Sequence, residues 1–136
     1  RGQQIAGSVF LDECRPWELT PLQFAVLAEL HRHGPDDQVG LGGALALDRT
    51  TISVVVKKLD ERGLVERCVS EKDRRSKPVS ITRKGANLIR EVLPAAEAAQ
   101  DRMLAPLTAS ERAQFIRLLG KMANGNNSES RAPLRR

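Results

Sequence analysis

Between Asp48 and Thr82 three local signals follow one another without a break, and few folds accommodate all three. Asp48 is a good N-cap, and Ile52, Val55, Val56 and Leu59 then recur at i, i+3, i+4 and i+7, the stripe of an amphipathic helix. Gly63 ends that helix where positive φ is tolerated. The stripe leaves Arg49, Thr50, Ser53, Lys57 and Lys58 on the other surfaces, polar near the N-terminus and cationic further on. Two β-favouring runs come next, 64–69 (LVERCV) and 78–82 (PVSIT), around a polar tip at 70–77 (SEKDRRSK). Such runs around a turn-like cluster read as a hairpin, with Pro78 acceptable at a strand start or edge.

The charge is distributed as unevenly as the pattern. Between Lys57 and Lys84 lie ten basic and five acidic residues, so that window holds the whole net charge of +5. A basic segment concentrated in a compact domain is what a polyanion binder needs, because each Lys or Arg on a phosphate releases condensed counterions. A solvated charged face is the plainer alternative. With 40% hydrophobic residues the chain has enough for a core, and with 3% aromatics that core is aliphatic, which suits packed helices. A length of 136 residues fits one domain. No apolar run approaches the roughly 20 residues that span a bilayer, so no membrane role is expected. Cys14 and Cys68 match no metal or redox spacing, which points to a reduced, cytosolic compartment.

The remaining elements are helical. Ile5, Val9 and Phe10 give a short first helix over 3–14, ended by Arg15-Pro16. Thr20, Pro21 and Gln23 form a capping box with proline at the first helical position, opening a helix that stops at Gly34-Pro35. The segment 39–47 (VGLGGALAL) is a weak short helix, since each interior glycine costs about 1 kcal/mol relative to alanine. Thr82 caps a long helix to about Met103 with a kink expected at Pro94, and Thr108-x-x-Glu111 caps a last one. The composition of 124–136 (NGNNSESRAPLRR) points to disorder.

A short helix, a tight turn and an amphipathic helix, followed at once by a basic-tipped hairpin, resembles a winged helix-turn-helix: mainly α with a small β wing. The major groove admits one α-helix, and a hairpin tip beside it reaches the adjacent minor groove. The sequence also resembles the multiple antibiotic resistance regulator (MarR) family over residues 3–123. The resemblance is carried by Leu19-Thr20-Pro21-Leu22-Gln23-Phe24, by Asp48-Arg49-Thr50-Thr51 with Leu59 to Val65, and by Asp73-Arg74-Arg75 with Val79-Ser80-Ile81-Thr82 and Gly85. The opening of the second helix is similar to that in regulators of aromatic-compound breakdown. Gly42-Gly43 departs from the family's better helix formers and puts the rigidity of that helix in question.

The resemblance implies one domain over 1–123. Its winged lobe would span about 20–85, and its dimerisation helices about 3–14 and 83–123. It further implies a homodimeric, ligand-responsive repressor on double-stranded DNA, reading a pseudo-palindromic operator and controlled by a small aromatic carboxylate, with no cofactor. Residues 48–62 would be the recognition helix and 70–78 the wing, with Asp73 bracing Arg75 as it enters the minor groove. Arg74 and Lys77 would be further DNA-binding residues of the wing.

Each candidate residue also has a plainer reading. The hydroxyls of Thr50, Thr51 and Ser53 contact DNA or satisfy the helix N-terminus. Lys57 and Lys58 meet phosphate or water, and Arg49 reads a base or clamps the backbone. Phe10, Arg15, Trp17 and Phe24 suit a pocket for an aromatic carboxylate, or pack as core. Cys14 is a structural residue or, in a thiol-sensing regulator, the trigger. His31 and His33, two apart on a helix, do not share a face and make a poor metal pair. No Gly-rich phosphate loop, Gly-x-Ser-x-Gly or His-Glu-x-x-His occurs, so an enzyme is not expected. The rival from another class is a winged-helix module that binds an acidic protein.

Overall fold

A computed structural model of the chain describes residues 1–68 and 77–134. Along the described residues the order is α1 (Gly2–Glu13), a 3-10 turn (Arg15–Trp17), α2 (Pro21–His33), α3 (Gln38–Leu45) and α4 (Arg49–Glu61). Then come β1 (Val65–Arg67), β2 (Val79–Ile81), α5 (Arg83–Leu104), α6 (Ala109–Gly125) and a second 3-10 turn (Asn127–Glu129).

The helix starts are set by side chains that satisfy otherwise orphaned N–H groups. Thr20 Oγ1 accepts from the Gln23 N–H at 3.2 Å while Gln23 Oε1 accepts from the Thr20 N–H at 3.1 Å, the reciprocal box expected at α2. Asp37 caps α3, Asp48 caps α4, Thr82 caps α5, and Thr108 with Glu111 boxes α6. At its far end α4 gives way to Gly63 at φ +69. Helix α5 runs through Pro94 as one element.

α3 shows why Gly42, the first of the glycine pair, stands where a better helix former was expected. A Cβ at Gly42 would lie 2.9 Å from the Leu47 carbonyl oxygen, so the turn into α4 crosses directly over that backbone. Ala46 sits in the left-handed region at φ 53, and the axes of α3 and α4 meet at 112°. This is the geometry of a helix-turn-helix.

β1 and β2 pair antiparallel with Val65 opposite Ile81, Glu66 opposite Ser80 and Arg67 opposite Val79. A further bridge joins Asp36 to Val79, which ties the α2–α3 loop to the hairpin. The core gathers Leu27 and Leu30 of α2, Leu41 of α3, Ile52, Val56 and Leu59 of α4, Leu64, Val79, and Ile89 and Val92 of α5. Each such aliphatic side chain contributes roughly 1.5–3 kcal/mol on burial. The predicted stripe of α4 is the buried one.

α1 lies along α5, and Arg102 of α5 donates to Asp12 at 2.6 Å and to Glu13 at 3.2 Å. α6 buries none of its residues and leaves Phe115, Ile116, Leu118, Leu119 and Met122 exposed. Beyond residue 124 the described chain, to Leu134, completes α6 and makes the second 3-10 turn. The Asn127 side chain then bonds to the backbone of Leu134.

Candidate nucleic-acid interface and adjoining cavity

α4 has three kinds of surface. Opposite the buried stripe lie Thr50, Ser53 and Lys57, all exposed, with Lys57 Nζ 3.9 Å from Glu61 on the next turn. Arg49 is exposed on one flank and shares a cleft with Lys77, the residue before Pro78 at the base of the hairpin. Helix and hairpin base therefore open on one side of the molecule. Arg67 of β1 reaches Asp60 of α4 at 3.8 Å, a further tie between them.

Thr51 is differently occupied. Its N–H and its hydroxyl both donate to Asp48, at 2.8 Å each, which pulls the Asp48 carboxyl below the usual carboxylate range. In the structure that hydroxyl is hydrogen-bonded to the Asp48 cap. Arg62 fixes the other end of α4 by donating to the Glu18 carbonyl at 3.0 Å and to the Trp17 carbonyl at 2.9 Å. Lys84 returns to the Arg62 carbonyl at 2.8 Å. The wing tip, with Asp73, Arg74 and Arg75, lies outside the described residues.

On the opposite flank of α4 a cavity of about 1200 Å³ opens among α1, α2, α4 and α5. Phe10 and Phe24 form part of its wall, their ring centroids 5.4 Å apart and inclined at 60°, an edge-to-face pair. Lys58 is the cation and Glu97 the anion among its lining residues. Arg15 and Trp17, expected to join the two phenylalanines, do not line it. The 3-10 turn carries Arg15 outward to an ion pair with Asp12 at 3.0 Å, and Trp17 is half-buried against the core. Lys58, read from the sequence beside Lys57 as meeting phosphate or water, is also a lining residue of this cavity. At about 100° per residue it falls on the flank of the buried stripe, whereas Lys57 falls more nearly opposite it. Exposed Val54, an apolar side chain off the stripe, is the other sign of that flank.

Cys14 is fully buried at the end of α1, and burial pushes its thiol up, the reverse of what a reactive cysteine needs. No single described helix is long and apolar enough to cross a membrane.

A bent helix pair with an exposed polar face, flanked by an antiparallel hairpin and braced by a long helix, defines a winged helix-turn-helix protein. Residues 17–76 match the MarR family model. The chain is 36% identical over 115 residues to the HTH-type transcriptional repressor NicR of Pseudomonas putida, covering 85% of this chain and 72% of the relative. It superposes on a probable transcriptional regulator from Pseudomonas aeruginosa with a TM-score of 0.85 and 34% identity, covering 89% of this chain and 90% of the other. Bordetella bronchiseptica BpsR, whose DNA binding is regulated by 6-hydroxynicotinic acid, superposes with a TM-score of 0.86 and 31% identity over 91% and 89% of the two chains. The chain belongs to the MarR family. These relatives are regulators, in keeping with the expectation that the chain is not an enzyme.

Proposed function

We propose that this chain is a homodimeric repressor that reads a pseudo-palindromic operator and is controlled by a small aromatic carboxylate. The observation that carries the reading is that α4 serves two surfaces. Thr50 and Val54 of α4 border the cavity that Lys58 also lines, while Ser53 and Lys57 face outward beside Arg49 and the hairpin. A ligand taken into that cavity touches the reading helix itself.

On the DNA side, Arg49, Thr50, Ser53 and Lys57 contact the major groove and its phosphates, with Lys77 at the wing base on the backbone. Arg75, braced by Asp73, enters the minor groove, where a fixed guanidinium loses little entropy. Two copies related by a two-fold axis read half-sites about one helical turn apart. NicR is a transcriptional repressor and BpsR responds to a heteroaromatic acid, which supports both halves of the reading.

On the ligand side, an aromatic ring packs against Phe10 and Phe24 while its carboxylate pairs with Lys58. The bound acid favours a dimer whose two α4 helices are wrongly spaced for successive grooves, by no more than its differential affinity for the two arrangements.

The test selects genomic fragments with the purified protein and then titrates 6-hydroxynicotinate against the bound fragment. Selected fragments should carry inverted repeats and outcompete bulk DNA steeply with salt. Lys58→Met should keep operator affinity while the acid concentration needed for release rises about tenfold or more, the equivalent of losing one charge-assisted bond. Recovery of fragments no better than bulk DNA would overturn the DNA reading and favour the protein-interaction module. Unchanged release in Lys58→Met would overturn the cavity assignment.

A further inference from the structure

A second cleft, of about 630 Å³, lies on the Arg49 side of α4, between the start of α3 and the base of the hairpin. Arg49, Lys77 and Arg131 all line it, and they come from three separate parts of the chain: the first turn of α4, the approach to β2, and the segment after α6. Two carboxylates also line it, but both are engaged as helix caps. Asp37 Oδ1 accepts from the Gly40 N–H at 2.8 Å, and Asp48 accepts the N–H and hydroxyl of Thr51. Among the described residues, none of the three cations forms an ion pair.

The tail that brings Arg131 there is held in shape. Asn127 Oδ1 accepts from the Leu134 N–H at 2.8 Å and its Nδ2 donates to the Leu134 carbonyl at 3.1 Å, closing a loop over Ser130–Pro133. Inside that loop Ser130 Oγ accepts from the Ala132 N–H at 3.2 Å, and Pro133 fixes its own φ. Against the two capping carboxylates the three cations leave the cleft with one net positive charge, which favours an anion lying across them. The cleft borders the surface assigned to the DNA, so the anion on offer there is the phosphate backbone.

We propose that residues 126–134 form a third DNA-contacting element, in which Arg131 grips a backbone phosphate beside those met by Arg49 and Lys77. The proposal rests on the DNA-binding reading above and extends it to a segment outside the winged lobe. A phosphate contact carries no base information, so Arg131 sets affinity and register rather than the operator sequence.

The experiment uses the full chain and a 30-base-pair duplex of mixed sequence, titrated over roughly 50 to 200 mM salt. Arg131→Ala should weaken binding about fivefold to tenfold near 0.1 M salt and lower the slope of log affinity against log salt by about one per subunit on the duplex. Arg131→Lys, which keeps the charge, should retain the wild-type slope. A wild-type slope in Arg131→Ala would overturn the proposal while leaving the DNA reading intact. Tighter binding in Arg131→Ala would also overturn it, and would mark the tail as a plug that the duplex must displace. If the wild-type chain binds the duplex at no salt concentration, the DNA-binding reading fails first and the tail contact with it.

Discussion

At the head of α4 a single carboxylate, Asp48, takes both hydrogen bonds that Thr51 has to give, and those bonds hold it in its charged form. Because its folded pKa lies below the ordinary value, its contribution is complete above about pH 4 and fades as pH falls through the depressed value. Asparagine caps nearly as well as aspartate but does not titrate there. The melting temperature of the wild type should therefore exceed that of Asp48→Asn at neutral pH, and the gap should close on acidification. A gap that stays constant from neutral to acid pH would show that the charge of Asp48 is irrelevant to the cap. Thr51 illustrates the limit of reading residues singly. Its hydroxyl, like that of Thr50, could be assigned to DNA or to the helix start, and the bond to Asp48 sets the two apart.

Among the elements, α3 is where local propensity and the fold disagree. Propensity alone says that Gly42→Ala stabilises the helix by about 1 kcal/mol. The backbone says otherwise, because the new methyl would sit 2.9 Å from the Leu47 carbonyl oxygen. Overpacking of this kind costs typically 1–3 kcal/mol, so Gly42→Ala should be net destabilising, read as a lower urea midpoint at unchanged slope. A higher midpoint would mean that the α3–α4 turn yields freely. The other elements were legible because their signals are short in range. The boxes at Thr20 and Thr108, the caps at Asp48 and Thr82 and the stripe on α4 each involve residues within a turn or two of one another. The crossing of Leu47 over Gly42 depends on the angle between two helices, which no such window contains.

For the molecule as a whole, the unburied apolar face of α6, together with Ile5 and Leu11 of α1, is the surface a single chain leaves unfinished. A second copy covers it in the proposed dimer, and dimerisation is what places two reading helices on one operator. Leu119→Glu puts a charge into that face without touching the core of the winged lobe. It should shift the chain to monomer in sedimentation at micromolar concentration and abolish high-affinity operator binding. Because folding and association are coupled, it should also remove any concentration dependence of the melting temperature. A dimer that persists in Leu119→Glu would place the subunit contact elsewhere.

Helix boundaries, the hairpin, the buried stripe of α4 and the confinement of the positive charge could all be written down from the order of the residues, because capping, periodicity and turn chemistry act over a few neighbours. Which flank of α4 faces a cavity, where Lys58 goes, why Arg15 and Trp17 stay away from it, and that Arg131 returns to the side of Arg49 were settled by the packing of distant segments. A helix displays every azimuth equally; only what lies against it, α1 and α5 on one side and the hairpin base and tail on the other, turns an azimuth into a site.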